Sequence, residues 1–196
     1  MANVDNPFGL KPIRMIGGAP YNGSVTKYKK LSTYNAAVFI GDPVTITGTA
    51  DTDGIPSVQV TTVGDGNAIT GVVVGFEGPP DSSDASKNYS PALTASSLLV
   101  CDDPNVIFII QDDGAATPAV TSVGLNAVLI DTHSGDTATG ISGMEIDMNS
   151  DGPDTDASNQ LTILRLHQIP NNSVGINAIW EVKINNHTNG YGAVGL

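Results

Sequence analysis

Leu98-Leu-Val-Cys-Asp-Asp-Pro-Asn-Val-Ile-Phe-Ile-Ile-Gln111 is the stretch whose reading decides the fold. Two apolar runs, residues 98–101 and 106–111, are too short for helices. They flank Asp102-Asp103-Pro104-Asn105, a set of turn formers. Asp and Asn side chains satisfy nearby backbone groups, and Pro presets φ, so such a tetrapeptide reverses the chain. The spacing predicts two strands joined as a tight hairpin.

The same grammar extends in both directions. Toward the C-terminus, residues 126–131, 161–168 and 178–185 are apolar or alternating runs. Toward the N-terminus, residues 69–76 form a long run rich in β-branched side chains, and 58–63, 44–47 and 24–28 alternate. Between them stand breakers such as Asp51-Thr-Asp-Gly54, Gly64-Asp-Gly-Asn67 and Asp112-Asp-Gly114. No window of a dozen residues has helical period. Residues 35–39 and 84–89 are short helices at most. Eight to ten short strands with turn punctuation predict an all-β protein, a β-sandwich or barrel of jelly-roll-like type. One body over residues 24–196 is preferred to a split near 111–125. Residues 78–87 and 147–158 read as polar surface loops.

Residues 1–23 differ from the rest. They hold three Pro and four Gly, which resist helix and central strand alike. Yet Phe8, Leu10, Ile13, Met15 and Ile16 are apolar. An irregular but apolar segment must bury itself, on its own body or on a neighbour, so an extended N-terminal arm that orders on assembly is expected.

Charge follows the same division. The 196 residues carry 8 basic and 20 acidic side chains, a net charge of −12. Residues 1–30 hold five basic residues against Asp5, a net +4, and residues 31–196 hold 3 basic against 19 acidic, a net −16. The expected partner-docking residues are therefore Phe8, Leu10, Lys11, Arg14, Lys27, Lys29 and Lys30. Nucleic acid is not an expected partner, because affinity for it comes from Lys and Arg against phosphates and the body lacks them. No apolar run approaches the ~20 residues of a membrane helix. No signal peptide is expected at the N-terminus.

Catalytic constellations are hard to find. The single cysteine, Cys101, ends an apolar strand and reads as a buried thiol. His133 sits in Asp131-Thr-His-Ser-Gly-Asp136, where Ser, His and Asp are neighbours in sequence, which is not triad geometry. His167 reads as a satisfied core or interface histidine, and His187 lies in a polar tail. There is no phosphate loop, dinucleotide fingerprint or nucleophile elbow. The expectation is a non-enzymatic chain with no cofactor. One metal candidate stands out: Asp147, Asn149 and Asp151, with Gly152, match the opening of a calcium loop. Ser158 occupies the place of the bidentate Glu, and Pro153 follows the glycine, so the match is partial.

Several segments together resemble the virion structural proteins of tailed bacteriophages. They are Asn6-Pro-Phe-Gly-Leu-Lys-Pro-Ile13, Tyr21-Asn-Gly23, Phe39-Ile-Gly-Asp-Pro-Val44, Asp53-Gly-Ile-Pro56, residues 100–108, Val123-Gly-Leu-Asn126, and Ala178-Ile-Trp-Glu-Val-Lys-Ile-Asn-Asn-His187. The resemblance spans nearly the whole chain. It implies a head cement or decoration protein, made in the host cytoplasm and located on the capsid surface of the virion. Its implied partners are the major capsid protein and copies of itself, as a homotrimer. A tail, neck or fibre protein is the alternative, and a carbohydrate-binding module a more distant one.

Overall fold

The computed structural model describes residues 3–150 and 152–190. Twelve strands and one 3-10 turn (Val120–Ser122) make up its regular structure, with no α-helix among the described residues. The chain is all-β. Residues 35–39 and 84–89 contain turns and bends instead of the short helices that were the most they could form.

Five strands close into a barrel: β2 (Thr26–Lys30), β3 (Pro43–Ala50), β4 (Pro56–Val60), β5 (Gly71–Phe76) and β6 (Ser96–Cys101), in the order β2-β4-β3-β5-β6. Its pairings are antiparallel except for β2 with β4. Tyr28, Val44, Val58, Val73, Leu98 and Val100 fill it. The second unit is a five-stranded antiparallel sheet in the order β1-β7-β12-β11-β8. It comprises β1 (Lys11–Met15), β7 (Val106–Gln111), β8 (Asn126–Ala127), β11 (Leu161–Leu166) and β12 (Ile179–Ile184). A short ribbon pairs β9 (Leu129–Ile130) with β10 (Glu145–Ile146). The run 126–131 is thus two strands, which change partner at Val128.

The two units share a core. Phe108, Ile110, Ile163, Trp180 and Val182 from the sheet pack in one cluster with Ile69, Val72 and Cys101 from the barrel side. Val72 and Val73 are successive, point to opposite faces, and belong to different clusters. The same holds for Val100 and Cys101. β5 and β6 therefore form a wall with apolar contents on both sides. This is why residues 69–76 read as a continuous apolar run and not as an alternation.

The hairpin expected at 102–105 is not formed. The turn exists: Asp103 Oδ1 accepts the Asn105 N–H at 2.8 Å, and the Asp103 carbonyl accepts from Val106 at 3.2 Å. However, β6 pairs with β2 on one edge and β5 on the other, which leaves no edge for β7. β7 continues into the other sheet, between β1 and β12. The turn is the crossing from barrel to sheet, so the change of unit falls there and not at 111–125.

Polar ties hold the crossing. Gln160 is fully buried, and all its amide groups are used. Its Oε1 accepts from Gly64 and Leu129, both at 3.1 Å, and its Nε2 donates to the carbonyls of Thr62 and Asn67. Asp112 is also fully buried. It accepts from the indole of Trp180 at 3.0 Å and from the backbone of Gly114, Asn177 and Ala178.

The N-terminal stretch is extended but lies on the body. Asn3 Nδ2 donates to the carbonyls of Ser173 and Ile176, each at 2.9 Å. Gln111 receives the Asn6 N–H and donates to the Val4 carbonyl, both at 2.8 Å. Residues 9 and 41 cross with no room for a side chain: a Cβ on Gly9 would lie 2.5 Å from the Gly41 carbonyl oxygen. Gly9 also has φ +67°, in the left-handed region. Beyond this crossing, residues 11–15 form edge strand β1 despite Pro12, which an edge tolerates because one side of the strand needs no ladder donor.

Candidate interaction surface

The residues expected to dock a partner are largely committed within the chain. Leu10 is 1% exposed, in the shared core, and Lys30 is 0% exposed. Lys30 Nζ donates to the carbonyls of Pro91 and Thr94, and burial pulls its pKa down to about 8. Neither residue can meet a partner, because a side chain inside the body has no outward surface. Lys27 pairs with Glu77, and Lys29 bonds Ser97 at 2.9 Å near Asp51. Phe8 is half-buried on the wall of a groove, and Lys11 is exposed at its rim.

Arg14 belongs to a network on the outer face of the five-stranded sheet. Residues opposite one another in an antiparallel ladder share a face. One row across the sheet is Lys11, Ile109, Glu181 and Arg165. The next is Arg14, Ile107, Lys183 and Thr162. Simple alternation would put Arg14 and Lys11 on opposite faces, and likewise Arg165 and Thr162. Two bulges, between Pro12 and Arg14 and between Ile163 and Arg165, each add a residue and turn the arginine outward. Arg14 Nη2 then donates to Glu181 at 2.7 Å, and Arg165 donates at 2.9 and 3.1 Å. His167 Nδ1 lies 3.1 Å from the same carboxylate. Burial works against ionisation of Glu181, but hydrogen bonds from Arg165, Arg14 and His167 outweigh it and hold the carboxyl at about 2.

An apolar groove of about 490 Å³ borders this face. Phe8, Ile40, Val74, Ile109, Ile141 and Ile179 are among its walls. Ile40 and Ile141 are 37% and 39% exposed. A second groove shares Phe8 and Ile179 with the first and adds Val4 and Ile169. Val174 and Ile176 are exposed in the adjoining loop, beside the backbone that Asn3 bonds. Exposed apolar side chains thus recur from the barrel wall to the 169–176 loop, with Asn3, Asn6, Asn171 and Asn172 standing among them. Scattered surface apolar residues are ordinary, but a groove that gathers several of them on its walls offers a site of association.

A groove of about 570 Å³ holds Tyr34, Asp42, Asp131 and His133 on its walls. His133 Nδ1 lies 2.8 Å from Oε2 of the buried Glu145, and the Thr132 hydroxyl is 3.2 Å from both. A hydrolytic relay needs the carboxylate on one imidazole nitrogen and a nucleophile on the other. Here the carboxylate and hydroxyl share Nδ1. Asp136 does not face His133. It caps its own loop, accepting from Ala138 and Thr139 at 2.8 and 2.9 Å. Asp42, on the groove wall, accepts the Phe39 N–H, and burial raises its pKa to about 6 against an opposing hydrogen bond from Ser142.

Of the calcium candidates, Asp151 lies outside the described residues. Asp147 is buried, and its Oδ1 accepts the N–H groups of Asn149 and Ser150 at 2.7 and 2.8 Å, a loop-capping role. No cluster of three or more His, Cys, Asp or Glu with metal-binding geometry occurs among the described residues. Cys101 is buried and unpaired, with its thiol pKa raised to about 11 by burial. No described helix is long and apolar enough to cross a membrane.

Compared with protein-family models, curated proteins and solved structures, the chain matches none.

Proposed function

We propose that the chain is a non-enzymatic structural protein that works by packing onto other protein subunits. Its proposed place is the outside of a tailed-phage head, as a cement or decoration protein that stabilises contacts between major capsid protein subunits. The apolar groove walled by Phe8, Ile40, Ile109, Ile141 and Ile179 carries the packing half of this reading. The capsid half is supported by the resemblance of residues 6–13, 39–44 and 178–187 to phage virion proteins.

The physics of cementing suits such a surface. A stable interface buries roughly 1,600 Å² in total. Repeated by symmetry over a shell, even modest contacts become strong through avidity. The test is electron cryomicroscopy of particles from the phage that encodes the chain. Twelve-stranded density over junctions between shell subunits, with the apolar groove against the shell, is the expected result. Density confined to the tail or neck, or no density at all, overturns the capsid assignment.

A further inference from the structure

We propose that the outer face of the five-stranded sheet docks a second copy of this chain, whose acidic loops around Asp154 and Asp156 it receives. The inference rests on the subunit-packing reading and names one partner for it. Lys11, Arg14, Arg165 and Lys183, half of the eight Lys and Arg of an acidic chain, stand on this one face. Glu181 is the single carboxylate in the same rows, so those rows carry a net +3. Lys11 and Lys183 have no carboxylate within ion-pair distance among the described residues. A buried Arg14 Nε also lacks a hydrogen-bond acceptor.

The complement is present on the same molecule. Residues 106–160 hold nine acidic side chains and no basic one. Asp65, Asp154 and Asp156 are exposed. The Ser158 hydroxyl bonds Asp65 at 3.1 Å and Asp156 at 2.7 Å, which brings these carboxylates together. Asp154 exchanges backbone hydrogen bonds with Asn126, at 2.8 and 2.9 Å, and so continues the sheet beyond edge strand β8. Lys11 and Arg14 are on β1, the opposite edge. Lys183 on β12 and Arg165 on β11 extend the cations across the face, and the carboxylates lie just beyond its β8 edge. A head-to-tail contact joins the basic face of one copy to the acidic edge of the next, a heterologous interface.

Size sets the strength. Five strands about 4.8 Å apart, of 5, 6, 6, 6 and 2 residues at about 3.3 Å each, present roughly 400 Å². One partner in a stable interface contributes about 800 Å². The contact is therefore weak alone, and salt weakens it further. That sign is diagnostic: for a chain of net −12, general repulsion would make low salt disperse the copies.

The test is sedimentation equilibrium of the full chain over a concentration series at low and high ionic strength. The expected result is an average mass rising above 20.1 kDa with concentration at low salt, and at least tenfold weaker association in about 0.5 M salt. The double variant Lys11→Glu/Lys183→Glu should abolish the rise, and so should Asp154→Lys/Asp156→Lys. An equimolar mixture of the two should restore it. Lys11→Gln/Lys183→Gln, checked for fold by circular dichroism, serves if a reversal fails to fold, and should weaken association without abolishing it. A mass of 20.1 kDa at every concentration in low salt overturns the inference and leaves subunit packing, read from particles, standing. Association that strengthens with salt and ignores the reversals also overturns it, and assigns the contact to the apolar groove. Capture of duplex DNA by this face, with no self-association, overturns it in favour of phosphate binding.

Discussion

Asp112 and Asp42 show how much of this molecule is decided by single buried carboxylates. Asp112 accepts four hydrogen bonds at the point where β7 ends and β12 begins, including the indole N–H of Trp180. Asp112→Ala leaves those donors buried without an acceptor, so a loss of roughly 3 kcal/mol or more is expected, read from the urea midpoint. Asp42 behaves differently, because burial raises its pKa to about 6 from 3.8. The folded state therefore holds the proton more tightly than the unfolded chain. The associated stability is complete below about pH 3.8 and is lost as pH rises through about 6. Asp42→Asn should flatten that decline, measured as denaturation midpoints at intervals between pH 4 and 7. A decline unchanged in the variant would assign it to another group. None of this was legible in the sequence, where Asp42 and Asp112 stand among turn formers and look like solvated loop residues. Asp112 is distinguished only by the partners that distant segments bring to it.

At the scale of elements, the strands that alternate or run apolar were legible, because burial on one or both faces leaves its period in the residues. β2 to β7, β11 and β12 all fall within or beside the runs read from sequence. β1 was hidden because Pro12 argues against a strand, and only its edge position makes that proline acceptable. The arginines of the outer face were hidden by bulges, which reverse the facing that alternation predicts for Arg14 and Arg165. The hairpin at 102–105 was misread because a turn signal reports a reversal and not the partner of the strand that follows. The crossing of residues 9 and 41 gives a direct test at this scale. Gly9→Ala places a methyl 2.5 Å from the Gly41 oxygen, in a backbone conformation unfavourable to Ala. The expected outcome is release of the N-terminal stretch. Faster amide exchange in β1 and at Ile107 and Ile109, with the barrel strands unaffected, would report it. Unchanged exchange in β1 would mean that the crossing does not hold it.

For the whole molecule, the sequence's charge division survives in altered form. The basic residues of the first thirty positions do not form a free arm. Lys30 is buried on the carbonyls of Pro91 and Thr94, and Arg14 is tied to Glu181. What was right in the count is the excess of positive charge near the N-terminus. What it lacked was Arg165 and Lys183, more than a hundred residues away, which the sheet brings beside Lys11 and Arg14. Surface charge is a property of the fold, and a tally along the chain sees only its local part.

The strand order also dictates when each unit can form during synthesis. The barrel uses only residues 26–101, a continuous stretch that leaves the ribosome before β7 to β12. The sheet places β7 between β1 and β12, so its centre stays half-paired until residues 179–184 have emerged. Closing contacts that long is slow, because the intervening loop entropy is lost before any pairing is gained. In pulse-labelled refolding, amides of β2 to β6 should be protected before those of β7 and β12, and simultaneous protection would refute that order. Until the end of the chain arrives, the apolar β7 lies open along one edge. The nascent protein thus passes through a stage in which its most adhesive strand is already made and its cover is not.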